Sequence, residues 1–338
     1  MGPTRSPQGG HAPINEVGSA RRVKSVTDNQ LRLRIPIACK LGNTCEIQNY
    51  VDHDAGPGAE EYTGGGRTYD QHNGTDFRLP SLTSLRNGVA VVAAAGGRVT
   101  AVRESVEDVS VKERGRAAVA GVECGNGVVI DHGNGWQTQY CHMAKGSIKV
   151  QPGDKVLVGQ PIGAVGMSGL SEYPHLHFTV RSHGQVVDPF AHSPTGSVPT
   201  QSLWAAAAQP AMGYRTRIIL NQGFASRPIT NDMIEAGTLE HEPPTRESPM
   251  LVAYVRLIGV REGDLATLMV HSPEGRVIAE NAGAPLERGK AQLIIFAGRK
   301  APIGGWPEGS YEATCSVTNN GRLVQEHRFR HRIGSRPD

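Results

Sequence analysis

Short apolar runs separated by glycine-bearing turns constrain this chain more than any other feature. Val89–Ala94, Gly97–Val102, Gly127–Ile130, Trp136–Tyr140 and Leu176–Arg181 all have the length and side chains of strands. The sequence holds 42 Gly and 22 Pro against 6 Phe and 3 Trp, so turns are frequent and large aromatic anchors scarce. An all-β chain built on an antiparallel sheet or sandwich is expected.

One hairpin can be placed in detail. Val128–Ile130 and Trp136–Tyr140 flank Asp131-His-Gly-Asn-Gly, a segment rich in residues that tolerate positive φ. Folding there brings Cys124 near Cys141, and opposed antiparallel residues lie ~4.5–5.5 Å apart at Cα, a span a disulfide bridges. Cys39 with Cys45 is the second expected pair, and Cys315 is left as a small buried hydrophobe. No C-x-x-C occurs, which argues against a thiolate zinc site, and two pairs suit an oxidising compartment.

Residues 1–34 carry little apolar periodicity and are expected to be a disordered lead-in. The first domain is placed at 35–191 and a linker at 192–213, in which Leu203–Ala208 is expected to form one or two helical turns. Residues 214–338 are expected to form a smaller β-sandwich of immunoglobulin-like size. There Leu251–Leu257 alternates, Ser272-Pro-Glu-Gly turns, and Ser310–Val317 pairs with Leu323–Arg330 across Asn319-Asn-Gly. The Val150–Gly166 stretch is expected to supply tight turns capping a small sheet. No apolar run reaches the ~20 residues of a membrane span, and the start shows no signal-peptide core. A net charge of +3, evenly spread, excludes nucleic acid as an expected partner.

Histidine and aspartate concentrate in His72-Asn-Gly-Thr-Asp76, Tyr140-Cys-His142 and His175-Leu-His177, the last preceded by Gly166-Met-Ser-Gly169. On a strand, His-x-His puts both imidazoles on one face, ~6.6–6.8 Å apart along the strand. His72 and Asp76, four apart around a glycine, can converge on one ion. With His177 they make three protein ligands, leaving a fourth position open as catalytic zinc sites do. H-E-x-x-H and its glutamate base are absent, so His142 and His175 are the candidate bases.

These motifs, their order, and the Val187-Asp-Pro that follows resemble the lysostaphin/LytM family of zinc peptidases over about Ile35–Pro189, with flanking text similar to Gram-negative envelope members. The resemblance implies a LytM-like catalytic sheet with zinc on His72, Asp76 and His177 and with His142 and His175 as catalytic histidines. It also implies a periplasmic or secreted hydrolase of peptidoglycan peptides. A tyrosine upstream of the first ligand assists catalysis in some members, and Tyr62 and Tyr69 both qualify by position. Rival expectations are a non-catalytic envelope module or amidase activator, with the sandwich holding a partner, and a biotinyl-like domain, which leaves five residues without a role. His53 and His132 are expected to be loop and turn residues, and His327 and His331 to lie on a charged strand edge. Since the five site residues precede 192, the first domain is expected to keep its chemistry without the second.

Overall fold

The computed structural model describes residues 31–193 and 201–334; most of the expected lead-in, and residues 194–200 and 335–338, lie outside them. In chain order the first strands are β1 (Glu46–Asn49), β2 (Thr75–Arg78), β3 (Ala90–Val92), β4 (Gly97–Arg103), β5 (Asn126–Gly133) and β6 (Trp136–Met143). They are followed by β7 (Lys155–Val156), β8 (Pro161–Ala164), β9 (His175–Ser182) and β10 (Gln185–Val187). The main sheet runs β1-β2-β9-β6-β5-β4-β7 with β10 on β9, and β3 pairs β8 in a small second sheet. Every ladder among these strands is antiparallel.

Strand alternation sets the faces. In β9, Leu176, Phe178 and Val180 point into the core and are buried, while His175, His177 and Thr179 share the opposite face. Fully burying each apolar side chain stabilises the fold by about 1.5–3 kcal/mol. Hairpin β5–β6 is tighter than expected, because Gly133 pairs with Trp136 and only Asn134-Gly135, at φ 51° and 79°, make the turn.

The stretch expected as a linker is largely part of this core. Leu203 and Trp204 are buried, and the Trp204 ring meets Phe77, Phe178 and Phe190 at centroid distances of 6.4, 6.0 and 5.4 Å. Leu33 N–H donates to Leu203 C=O at 2.9 Å, so residue 33 is also tied down. Leu203–Ala208 forms turns and no helix, because Trp204 is held in a bridge to Leu33.

Beyond residue 213 come β11 (Ile218–Ala225), β12 (Met250–Val260), β13 (Asp264–His271), β14 (Val277–Ala282), β15 (Lys290–Lys300), β16 (Gly309–Asn319) and β17 (Arg322–Ile333). A three-stranded sheet, β11-β12-β15, and a four-stranded one, β14-β13-β16-β17, enclose a shared apolar cluster and make the second, β-sandwich part. β16 and β17 pair across Asn320-Gly321, and β17 is an edge strand studded with charge. β12 is buried on both faces except at its first residue, because helix α1 (Asn231–Ala236) and its surroundings cover the side away from the sandwich core.

Cys39–Cys45 and Cys124–Cys141 are bonded, with Cα separations of 6.0 and 4.9 Å. Cys315 is buried and its thiol is pushed up to about 11 by desolvation. Non-reducing peptide mapping should therefore show two disulfide-linked pairs, with Cys315 alkylated only after unfolding; free thiols at the other four positions would contradict this arrangement.

Candidate metal and catalytic site

The register of β2 on β9 assembles the site, since Asp76 pairs with His177 and Arg78 with His175. His72 arrives from the loop before β2, where Gly74 is required: a Cβ there would lie 2.6 Å from His177 Nε2. His72 Nε2, Asp76 Oδ1 and His177 Nδ1 form a triangle with sides of 3.1, 2.9 and 3.2 Å. Tetrahedral ligands ~2.0–2.1 Å from a zinc ion stand about 3.3–3.4 Å apart, so this donor set fits that ion with little movement.

Outer hydrogen bonds orient each donor. His72 Nδ1–H donates to Tyr50 C=O at 2.6 Å, which leaves Nε2 as the lone-pair atom. His177 Nε2 lies 3.0 Å from Asn73 Oδ1 and 3.1 Å from Thr179 Oγ1, so its proton sits there and Nδ1 faces the triangle. Asp76 Oδ2 accepts from Asn49 Nδ2 at 2.9 Å, turning Oδ1 inward. Burial opposes ionisation of Asp76, but the electrostatic pull of the neighbouring His72 and His175 and its contacts with His177 and His72 outweigh it and hold the carboxyl well below its usual range.

His142 and His175 stand beside this triangle, their rings 4.6 Å apart, and His142 lies 5.9 Å from His177. His175 Nε2 is 3.7 Å from Asp76 Oδ1. His142 Nδ1–H donates to Ser168 C=O at 2.7 Å and His175 Nδ1–H to Tyr173 C=O at 2.8 Å, leaving both Nε2 atoms free to accept a proton. Burial, with neighbouring histidines adding to it, pushes His142 well below its usual range, and burial also lowers His175. His142 sits at φ 59°, a left-handed conformation unusual for a side-chain-bearing residue. The Cys124–Cys141 bond next to it and the His142 N–H to Cys124 C=O bond at 2.8 Å hold it there. Gly169, next to Ser168 and at φ +81°, has no room for a side chain, since a Cβ there would lie 2.4 Å from Glu123 O.

The structure separates the two tyrosines. Tyr69 packs on His72 at 4.5 Å and lines the cleft over Asp76, whereas Tyr62 stacks on Phe190 in an aromatic cluster. His53 lies in a loop, as expected, and its Nε2, 2.8 Å from Asp188, ties that loop to the Val-Asp-Pro segment. His132 sits at the end of β5 with both nitrogens bonded, to Gly96 C=O and Thr138 Oγ1 at 2.8 Å each. Asn49, Asn73, Thr179 and Ser168 were absent from the expected site. Thr179 has a sequence signal, two residues beyond His177 on one strand face; Asn49 comes from another strand and has none.

Residues 70–189 match Peptidase family M23. The chain is 35% identical over 117 residues to the peptidoglycan DD-endopeptidase ShyA of Vibrio cholerae, covering 35% of this chain and 22% of ShyA. It is 34% identical over 143 residues to the DD-carboxypeptidase/endopeptidase Mpg of Neisseria gonorrhoeae, covering 42% of this chain and 27% of Mpg. The chain thus spans only about a quarter of the length of these curated relatives. Among solved structures, a zinc-containing peptidase from Vibrio cholerae is 28% identical, with 42% of this chain and 38% of that one covered and a TM-score of 0.28. The lysostaphin catalytic domain of Staphylococcus simulans is 25% identical, with 42% and 85% covered and a TM-score of 0.27.

Proposed function

With residues 70–189 forming a Peptidase family M23 domain, we propose that this protein is a zinc-dependent endopeptidase that hydrolyses stem peptides or peptide cross-links of bacterial peptidoglycan in the cell envelope. The observation that carries it is the buried His72–Asp76–His177 triangle with two further histidines whose free nitrogens stand beside it. A purely binding module has no need of five such groups oriented by hydrogen bonds. No helix among the described residues is long and apolar enough to cross a membrane.

His72, Asp76 and His177 would hold the ion, which supplies Lewis-acid polarisation of a peptide carbonyl and acidifies the attacking water. His142 and His175, each with Nδ1–H fixed on a carbonyl, offer Nε2 as base. The histidine that takes the proton then holds it on Nε2, from which it can reach the departing amine. While neutral, neither can donate from Nε2, so the Tyr69 hydroxyl is the better donor to a developing oxyanion. Loss of one such donor typically costs ~2.7–4 kcal/mol of barrier.

His142→Ala and His175→Ala should retain stoichiometric zinc yet lose about 100-fold or more in hydrolysis, the scale of general acid–base catalysis. Mass spectrometry of muropeptides after digestion, paired with metal analysis, checks both. A variant that loses metal in step with activity would overturn its assigned role, and zinc-loaded wild type that releases no amine from peptidoglycan would sink the peptidase proposal.

A further inference from the structure

The cleft beside Asp76 and His175 is closed by both parts of the chain. A cavity of about 590 Å³ is lined by Asn49, Tyr69, Asp76 and His175 on one side, and by Asn231 and Gln292 from the sandwich part on the other. Asn231 opens α1 and Gln292 lies on β15. Gln292 Nε2–H donates to Asn231 Oδ1 at 3.2 Å, and Gln292 Oε1 accepts from Arg78 Nη1 at 2.9 Å. The two amides are therefore locked in one orientation. Asn231 Nδ2 remains without a hydrogen-bond partner among the described residues, on a half-buried side chain.

A fixed amide donor in a cleft wall is selective. It is satisfied by a carbonyl or carboxylate oxygen of the bound molecule and left unpaired by an alkyl group. Net charge contributes little choice: Lys112 is paired with Glu172 at 3.3 Å and Arg78 with Glu235 at 2.7 Å, Asp76 belongs to the donor triangle, and Arg116 and Asp70 are of opposite sign.

Resting on the peptidase proposal, we infer that the sandwich part is a specificity wall of the active site, and that Asn231, oriented by Gln292, selects peptides bearing an oxygen acceptor on the side chain beside the scissile bond. The wall contributes to substrate affinity and not to the chemical step, because it touches none of the five metal-binding and base residues.

The test uses the full zinc-loaded chain and three peptides that differ only at that position, carrying Glu, Gln or Leu. Asn231→Ala should raise KM about fivefold for the Glu and Gln peptides, the scale of one hydrogen bond, and leave the Leu peptide unchanged, with kcat within twofold. Asn231→Asp keeps the acceptor for Gln292 and the side-chain size but removes the donor. It should penalise the Glu peptide more than the Gln peptide. Equal effects on all three peptides, or no effect in either variant, would overturn the inference while leaving hydrolysis intact. Should wild type cleave none of them, the peptidase proposal fails, and calorimetric binding of the same peptides decides the wall: unchanged Glu and Gln affinity in Asn231→Ala rejects it.

Discussion

Alanine at His72, Asp76 or His177 is expected to strip the protein of zinc and of hydrolysis together. Each side chain provides one corner of a triangle whose sides are 2.9–3.2 Å, and two donors are too few to hold the ion through dialysis. The outer partners give an internal scale. Asn73→Ala or Asn49→Ala removes a hydrogen bond that orients a donor and should cost ~10–100-fold in metal affinity, whereas a lost donor should exceed that range. Metal analysis after dialysis against a weak chelator reads both classes. Full occupancy in one of the three alanine variants would remove that residue from the donor set.

How much of this site could be read from sequence follows from the range of each interaction. His175 and His177 lie on one strand, so period-two alternation alone places them on a common face. His72 and Asp76 are local to one loop. Their meeting with His177 depends on the β2–β9 register, spanning 101 residues; ligand chemistry suggested the grouping and the family resemblance supported it, but no local pattern specifies that register. Asn49 reaches Asp76 from a strand 27 residues away with no local signature. The left-handed turn of His142 was equally hidden, because histidine carries no glycine-like mark for positive φ. Among the sandwich strands, the hairpin with Asn-Gly was legible from its turn chemistry. The burial of β12 on both faces was not: an alternating pattern predicts one wet face, and only the covering helix and its surroundings remove the water.

The least legible feature is the joint between the two halves, and it yields the second large expected effect. Glu235 of α1 accepts on one oxygen from Arg78 at 2.7 Å and from Arg256 at 2.5 Å. Arg78 belongs to β2, two residues from Asp76, and its guanidinium lies 4.0 Å over the Tyr173 ring. Arg256 is buried within β12, and its Nη2 donates to Pro80 C=O at 2.5 Å. Burial and the nearby Arg78 charge push the Arg256 guanidinium down to about 10, with Glu235 opposing them. Glu235→Ala would therefore leave two buried cations facing each other with no carboxylate between them, a loss of about 3–5 kcal/mol. In a chain of this size that lowers the unfolding midpoint by about 4–7 °C. Glu235→Gln keeps an acceptor and the side-chain volume and should fall between that variant and wild type. Arg78 also borders the site, so a chain cut before residue 214 should unfold more readily and bind zinc less well, contrary to the independence expected from where the site residues lie in the sequence. Differential scanning calorimetry decides the matter: an unchanged midpoint in Glu235→Ala would show that the buried clamp contributes no net stability and that the halves are joined by their apolar contacts instead.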